Sequence, residues 1–427
     1  MQMVQPRRPK GQPAGGEFAA RDRSESTASL PAAVTTAVTY EERPWEPTVP
    51  LDALPVSTRD RITRPYGAAV TPRIADLQLT LPGDLADAVQ NAQQQLLRFD
   101  TEVGSITAPF ASILLRSESA SSSQIENLTS GARAIAEAEL GERIDGNAPL
   151  IVGNVRAMEA ALNVAHDLNQ DAIIAMHREL LERTDPAIVG RYRTEQVWIG
   201  GGNLTNYSPH GADFIPPHHT RVEAALDDMI DYSLRPSAIP LASIAVAHAQ
   251  FETIHPFPDG NGRTGRALVQ AALRRSGLTR SVTVPISAGI LQQRDRYFDA
   301  LGSFRRGDYG PIVEVFADGA VLAVVNGRQL VRDIQSTRGA WEEKMQGIRS
   351  DAVARRIADL AVEHPVLNSR LIQDRLPQSG RAIFTAIDTL VQRDILVQGN
   401  SKQRNRIWVA REIIANLDAF ADRSRRT

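Results

Sequence analysis

The strongest constraint on the fold is a break between two helical patterns. Leu241 to Thr253 reads as an apolar helix and Ala267 to Arg275 as another. Between them stands His255-Pro256-Phe257-Pro258-Asp259-Gly260-Asn261-Gly262-Arg263-Thr264-Gly265-Arg266. Two prolines and two early glycines make a tight loop that cannot continue the first helix. Gly260-Asn261-Gly262 then opens the second. A chain with this loop is committed to a helix–loop–helix. The second helix turns its free backbone N–H groups, and the positive end of its dipole, toward the loop.

Such a helix start is an anion site, and its glycines let a phosphate approach the backbone closely. Arg263 and Arg266 lie on neighbouring parts of one helical turn and can hold further phosphate oxygens. Asp259 supplies a hard oxygen for a Mg2+ ion that bridges phosphates. His255, at the loop's entrance, is a base suited to neutral pH. Phosphate cradle, metal ligand and base within one loop describe phosphoryl or nucleotidyl transfer. The string from Gly260 to Gly265 also matches GxGxxG, but a dinucleotide fold needs a strand before it, and here a helix precedes. A Walker A loop is excluded because Arg266-Ala267 stands where Lys-Ser/Thr is required.

The surrounding chain is mostly helical. Helical spacing runs from Asp84 through Leu85, Val89, Ala92, Leu96 and Phe99, resumes after Pro109, and recurs at Val152 to Leu168 and Asp171 to Leu181. Further helices are expected at Arg221 to Ser233, Ala288 to Leu301 and Tyr309 to Lys344. Gly190 to Pro217 differs: Gly200-Gly201-Gly202 sits beside the β-prone Gln196-Val197-Trp198-Ile199, which reads as a hairpin or flap. With 427 residues the chain has room for two or three domains. It has no cysteine, which removes disulfide and thiolate-metal scaffolds. With 48 Lys and Arg against 50 Asp and Glu, it has no global field for nucleic acid or membrane. Neither a signal-peptide h-region nor a run of about 18 to 20 apolar residues is seen, so a cytoplasmic protein without a membrane partner is expected.

From about Asp351 the pattern changes. Helices at Ala352 to Val362, Ser369 to Arg375 and about Ser379 to Arg393 are followed by two β-prone runs, Ile395 to Val397 and Arg406 to Val409. A basic loop with Lys402 and Arg404 links the runs. This unit resembles a winged helix-turn-helix. Lys402, Arg404, Arg406 and Arg381 suit DNA, but Asp374, Asp388 and Asp394 dilute that field, and a protein-docking role is favoured.

The loop motif resembles the Fic family signature, H-P-F-x-[D/E]-G-N-G-R-x-x-R, at every defined position, and the resemblance extends over roughly residues 85–320. Gly190-Arg191-Tyr192-Arg193 and Val197-Trp198-Ile199-Gly200 look like the segment leading into that family's substrate flap. Tyr297-Phe298 resembles its adenine-side aromatic pair, with Gln293 where many relatives have Asn. The resemblance implies an all-α Fic fold with a small β-hairpin flap that transfers AMP from ATP to a protein hydroxyl. His255 would be the base and Asp259 the Mg2+ ligand. Gly260, Asn261 and Gly262 would form the anion hole. Arg263 and Arg266 would grip the β- and γ-phosphates, and Phe257 would anchor the loop.

Ser122-Ser123-Gln124-Ile125-Glu126-Asn127 resembles the family's inhibitory-helix motif, [S/T]-x-x-x-E-[G/N]. That resemblance implies that Glu126 pairs with Arg266 and restrains the enzyme, with Ser122 and Asn127 completing the motif. The expected organisation is a disordered or extended tail at 1–46 and a helical region with the inhibitory helix at 47–150. The catalytic core follows at 151–345, then the winged helix and a tail at 346–427. Expected partners are ATP, a protein substrate at the flap and a second copy of the chain. Alternatives within the fold are AMP removal or another donor; outside it, a nucleotide-sensing DNA-binding regulator. His218-His219 reads as a solvated flap edge rather than a metal site, and His248 as a core histidine. Trp198 is open between peptide reading and packing. Thr205, Tyr207 and Ser208 are candidate self-modification hydroxyls.

Overall fold

A computed structural model describes residues 35–47, 50–106, 109–201, 208–400 and 405–426. Thr205, Tyr207, Lys402 and Arg404, and most of the expected tail, lie outside these residues. Strand β1 (Thr39–Arg43) is followed by α1 (Val56–Ile62) and β2 (Tyr66–Val70), which pairs antiparallel with β1 from Thr39↔Val70 to Arg43↔Tyr66. The long α2 (Gly83–Gly104) buries Val89, Ala92, Leu96, Phe99 and Val103, one stripe at helical spacing. Then come α3 (Phe110–Ile125), α4 (Ala132–Glu139), α5 (Ala148–Asn163) and α6 (Gln170–Leu181). Asn169 starts α6 as an N-cap, its side chain accepting from the Ala172 N–H at 2.9 Å.

Beyond the flap segment lie α7 (Val222–Leu234), α8 (Pro240–Ile254) and α9 (Asn261–Arg275). Proline in the first turn of α8 presets the helical φ where no N–H partner is needed. The single helix expected over Ala288 to Leu301 is two, α10 (Ile286–Leu291) and α11 (Arg294–Arg305). The chain breaks at Gln293, whose side-chain amide donates to the Val315 carbonyl at 3.0 Å. The central α12 (Gly310–Lys344) packs against α2, α8, α10 and α11. By length and composition α12 alone among the described residues could cross a membrane, but 61% of its most apolar window is buried among these neighbours. Most of that window is therefore core, while Val325 stays 59% exposed.

The C-terminal unit runs α13 (Val353–Glu363), β3 (Val366–Asn368), α14 (Ser369–Arg375), α15 (Gly380–Gln392), β4 (Val397–Gln398) and β5 (Ile407–Val409). Its antiparallel sheet has the order β3-β5-β4. Strand β3 was not expected, being too short to show alternation. Nor does the sequence pattern predict α16 (Arg411–Arg425), which replaces the expected tail. Ile413, Leu417 and Phe420 recur there at helical spacing and seat α16 on α12, α3, α10 and α4. Burying Ile413 and Phe420 stabilises by roughly 1.5–3 kcal/mol each. The C-terminal sheet also meets α4, through Ala136 against Val366, Ile407 and Val409.

The expected flap hairpin is reduced, in the described residues, to one antiparallel bridge, Ile199↔Phe214. The β1–β2 ribbon supports it. Ala69 N–H donates to the Ile215 carbonyl at 3.0 Å. Trp45 meets Trp198 edge-on, with ring centroids 5.5 Å apart.

Candidate active site

Helix α8 ends on His255, whose main chain is left-handed (φ 51, ψ 61) and whose N–H donates to the Phe251 carbonyl at 2.9 Å. That conformation is unfavourable for a residue with a Cβ, so the loop beyond must hold it. Phe257 is fully buried and stacks on His177 at 3.8 Å with the rings 2° from parallel. Asn261 closes the loop from inside: its Oδ1 accepts from the Phe257 N–H at 2.8 Å, and its Nδ2 donates to the Phe257 carbonyl at 2.9 Å. The Asn261 side chain is therefore a brace, and what it offers an anion is its backbone N–H. His177, not singled out from the sequence, contacts the Asp259 carbonyl through Nε2 at 3.0 Å. Burial pushes the His177 imidazole down to about 4, so it is neutral near pH 7 and donates there. Gly260 is left-handed (φ 78), a backbone position that glycine adopts without a Cβ clash.

At the start of α9 the two arginines converge on one carboxylate. Arg266 Nη2 donates to Glu126 Oε1 at 2.7 Å, and Arg263 Nε donates to Glu126 Oε2 at 3.0 Å. Arg266 is also held by Ser122, through Nε to Oγ at 2.9 Å and Nη2 to the carbonyl at 2.8 Å. A Cβ on Gly262 would collide with the Glu126 carboxylate, so the close approach depends on glycine. Glu126 follows the last residue of α3. Asn127 then takes the left-handed conformation (φ 62), with its N–H on the Gln124 carbonyl at 2.9 Å and the Leu128 N–H on the Ser123 carbonyl at 3.0 Å. This is a Schellman cap, which explains why Gly or Asn suits that position.

His255 lies beside these groups in a cleft of about 810 Å³ that also exposes Asp259, Phe298 and Arg305. Burial, then the charges of Arg193 and Arg305, push its imidazole well below the ordinary value. It is therefore neutral near pH 7, and a weaker base than an ordinary histidine in this environment. Glu252, on the last turn of α8, is buried against the same cleft, and burial pushes its carboxyl up to about 7. The Asp259 side chain is 66% exposed, its Oδ2 3.3 Å from Arg263 Nη2. Among the described residues no three His, Asp or Glu side chains group as a metal cage. One exposed carboxylate still fits Mg2+, which takes one or two protein carboxylates and completes its shell with water and substrate phosphates.

The expected adenine pair divides. Phe298 is 45% exposed at the cleft, with the Arg294 guanidinium 5.4 Å from its ring centre. Tyr297 is 1% exposed and bonds through its hydroxyl to His248 Nε2 at 2.8 Å, so it offers almost no ring face to a base. His248 is the core histidine expected. His218 and His219 lie 4.0 Å apart ring to ring at a partly exposed edge of the flap segment. Ser208 is fully buried against His210 Nδ1 at 2.6 Å, which removes it as an accessible hydroxyl.

Residues 167–273 match the Fic/DOC family model. The chain is 33% identical over 155 residues to protein adenylyltransferase fic-1 of Caenorhabditis briggsae, which covers 36% of this chain and 27% of that protein. It is 33% identical over 164 residues to protein adenylyltransferase Fic of Drosophila melanogaster, covering 38% and 30%. The chain thus spans less than a third of the length of these curated relatives. Among solved structures, a Fic family protein from Desulfovibrio desulfuricans G20 aligns with a TM-score of 0.49 and 22% identity, over 78% of this chain and 97% of that one. Over residues 167–273 the chain is thus similar to the Fic/DOC family.

Proposed function

We propose that the protein is an adenylyltransferase that moves AMP from ATP to a Ser, Thr or Tyr hydroxyl of a protein and is restrained by its own Glu126. The observation that carries this reading is the Glu126 carboxylate bound by Arg263 and Arg266 at the N-terminal end of α9, beside a neutral His255. A site that holds one anion in this way suits phosphate once the carboxylate leaves. The names of the curated relatives support the same reaction.

In this reading the backbone of Gly260, Asn261 and Gly262 receives phosphate oxygens, and Arg263 and Arg266 hold the β- and γ-phosphates. His255 takes the proton of the incoming hydroxyl. The hydroxyl oxygen bonds to the α-phosphorus, the α–β bridging P–O bond breaks, and pyrophosphate leaves. Asp259 would hold Mg2+, which when bound offsets phosphate charge. Phe298 offers the exposed ring for adenine. The flap around Ile199 and Phe214 receives the target segment. We further infer that the C-terminal unit is a winged helix whose role is protein docking, since its sheet already packs on α4 beside the Glu126 segment.

The test incubates wild type, Glu126→Gly and His255→Ala with a lysate, Mg2+ and ATP labelled on the α- or γ-phosphate. Label from α-ATP on protein is expected with Glu126→Gly, little with wild type and none with His255→Ala. Mass spectrometry of AMP adducts then identifies the target. Transfer of γ-label instead, or no label from a Glu126→Gly form that binds ATP, would overturn the reading.

A further inference from the structure

Arg193 is buried just before the flap, and among the described residues its guanidinium donates only to main-chain oxygens. Nε reaches the His255 carbonyl at 2.8 Å. Nη1 reaches the Glu195 carbonyl at 3.1 Å, on the stem entering the flap. Nη2 reaches the Pro217 carbonyl, on the stem leaving it, and the Ile254 carbonyl at 3.4 Å. The Arg193 N–H adds a bond to the Pro256 carbonyl at 3.0 Å. A buried cation with no carboxylate is costly unless something else supplies negative potential. Here the end of α8 does so: Ile254 and His255 present the orphan carbonyls and the negative pole of that helix. The planar fork of a guanidinium can satisfy several carbonyls at once, which the single nitrogen of lysine cannot do with the same geometry.

We propose that Arg193 is a positioning residue for the transfer step: it ties the left-handed main chain of His255 to both stems of the flap, so that base and target segment keep one spacing. This rests on the adenylyl-transfer reading above. The phosphate-holding groups lie on α9 and its preceding loop, and none of them bonds to Arg193. Its removal should therefore disturb the rate of transfer and leave ATP binding nearly intact. The charged groups acting on His255 are Arg193 from the flap stem, Arg305 from α11 and Asp259 from the loop; α8 adds a main-chain bond from Glu252, and Glu126, Arg263 and Arg266 line the same cleft. Removing one of the two cations favours the imidazolium, which moves the acid limb of the rate to higher pH.

The experiment places Arg193→Lys and Arg193→Gln in the Glu126→Gly background. It follows α-label transfer to lysate protein against ATP concentration and pH, with thermal unfolding alongside. The expected result is a maximal rate lower by about 10- to 100-fold in both variants. The KM for ATP should stay within about twofold, as expected when the lost contact does not hold the nucleotide. The acid limb should shift upward in Arg193→Gln only. If Arg193→Gln does not fold, Arg193→Lys carries the rate and KM comparison alone. The proposal is overturned if both variants transfer at the parent rate. It is equally overturned if the loss sits in the KM for ATP with the acid limb unmoved. Absence of label from the Glu126→Gly parent would instead strike the adenylyl-transfer reading itself.

Discussion

The Glu126 carboxylate rests against Gly262, so close that a side chain at 262 would displace it. The same carboxylate is the partner of Arg263 and Arg266, both almost fully buried, while its own side chain is 29% exposed. Removing it leaves Arg266 with Ser122 alone and Arg263 with the exposed Asp259 alone. Glu126→Gly is therefore expected to lose about 1–3 kcal/mol of stability, discounted for the partial exposure. ATP or pyrophosphate should restore more stability to Glu126→Gly than to wild type, because anion and carboxylate compete for one place. Calorimetry with and without nucleotide measures both. Equal nucleotide-induced shifts in the two proteins would count against competition.

Asn127 sets where α3 stops, and so where Glu126 points. A β-branched residue is strained at its φ of 62. Asn127→Val is expected to cost roughly 1–2 kcal/mol. It should also raise basal transfer without touching the carboxylate. Asn127→Gly should keep the restraint. Basal labelling by Asn127→Val at the wild-type level would show that the cap does not govern Glu126.

Asn261 braces the loop with two buried bonds to Phe257. Asn261→Ala leaves the Phe257 N–H and carbonyl unpartnered, each costing about 1–3 kcal/mol. A lower unfolding temperature and a reduced transfer rate are expected together, even though the side chain touches no phosphate. Denaturant titration and α-label transfer measure them. Unchanged stability would mean that the loop holds its shape through Phe257 burial alone.

Glu118 introduces a pH dependence. It is buried on α3, with Oε2 accepting from the Ser287 N–H at 2.9 Å and Oε1 from the Ser287 hydroxyl at 2.7 Å. Burial raises its carboxyl from 4.5 to about 7. Across that window the folded chain keeps a proton that the unfolded chain has released. The contribution of Glu118 is then fullest below 4.5, falls as pH rises and is constant above about 7. Wild-type stability minus that of Glu118→Gln should follow this course in denaturant titrations. A difference that does not vary with pH would contradict it.

The loop from His255 to Arg266 was legible because its residues are contiguous and each has a local reason to be there. Proline and glycine break the helix, and the free N–H groups and arginines face one anion. Glu126 was reached only through the resemblance of Ser122 to Asn127 to the inhibitory motif; the cap at Asn127 that explains its place became visible in the backbone geometry. Arg193 could not be assigned its contacts, since the carbonyls it meets include those of residues 254 and 255, far along the chain. His177 was hidden for the same reason: its partner is the Asp259 main chain. Tyr297 and Ser208 show the converse. The family resemblance suggested chemistry at Tyr297 and residue type suggested it at Ser208, and burial against His248 and His210 removed the exposed surface that chemistry needs. Strand β3 has only three residues and forms through pairing with β5, a distant partner that local pattern cannot reveal.

The outer side of α3 carries a further consequence. Arg116 there reaches Glu139 Oε1 at 2.7 Å and His364 Nδ1 at 3.1 Å, and also bonds to the Glu363 carbonyl. Asp418 of α16 accepts from the Ala132 N–H at the start of α4 at 2.9 Å. Ribosomes build the chain from the N-terminus, so Glu126 and the loop through Arg266 emerge well before residues 363 to 418 exist. During that interval the segment bearing Glu126 lacks its outer supports. The outer face of α3 is thus completed only by the last part of the chain to be synthesised.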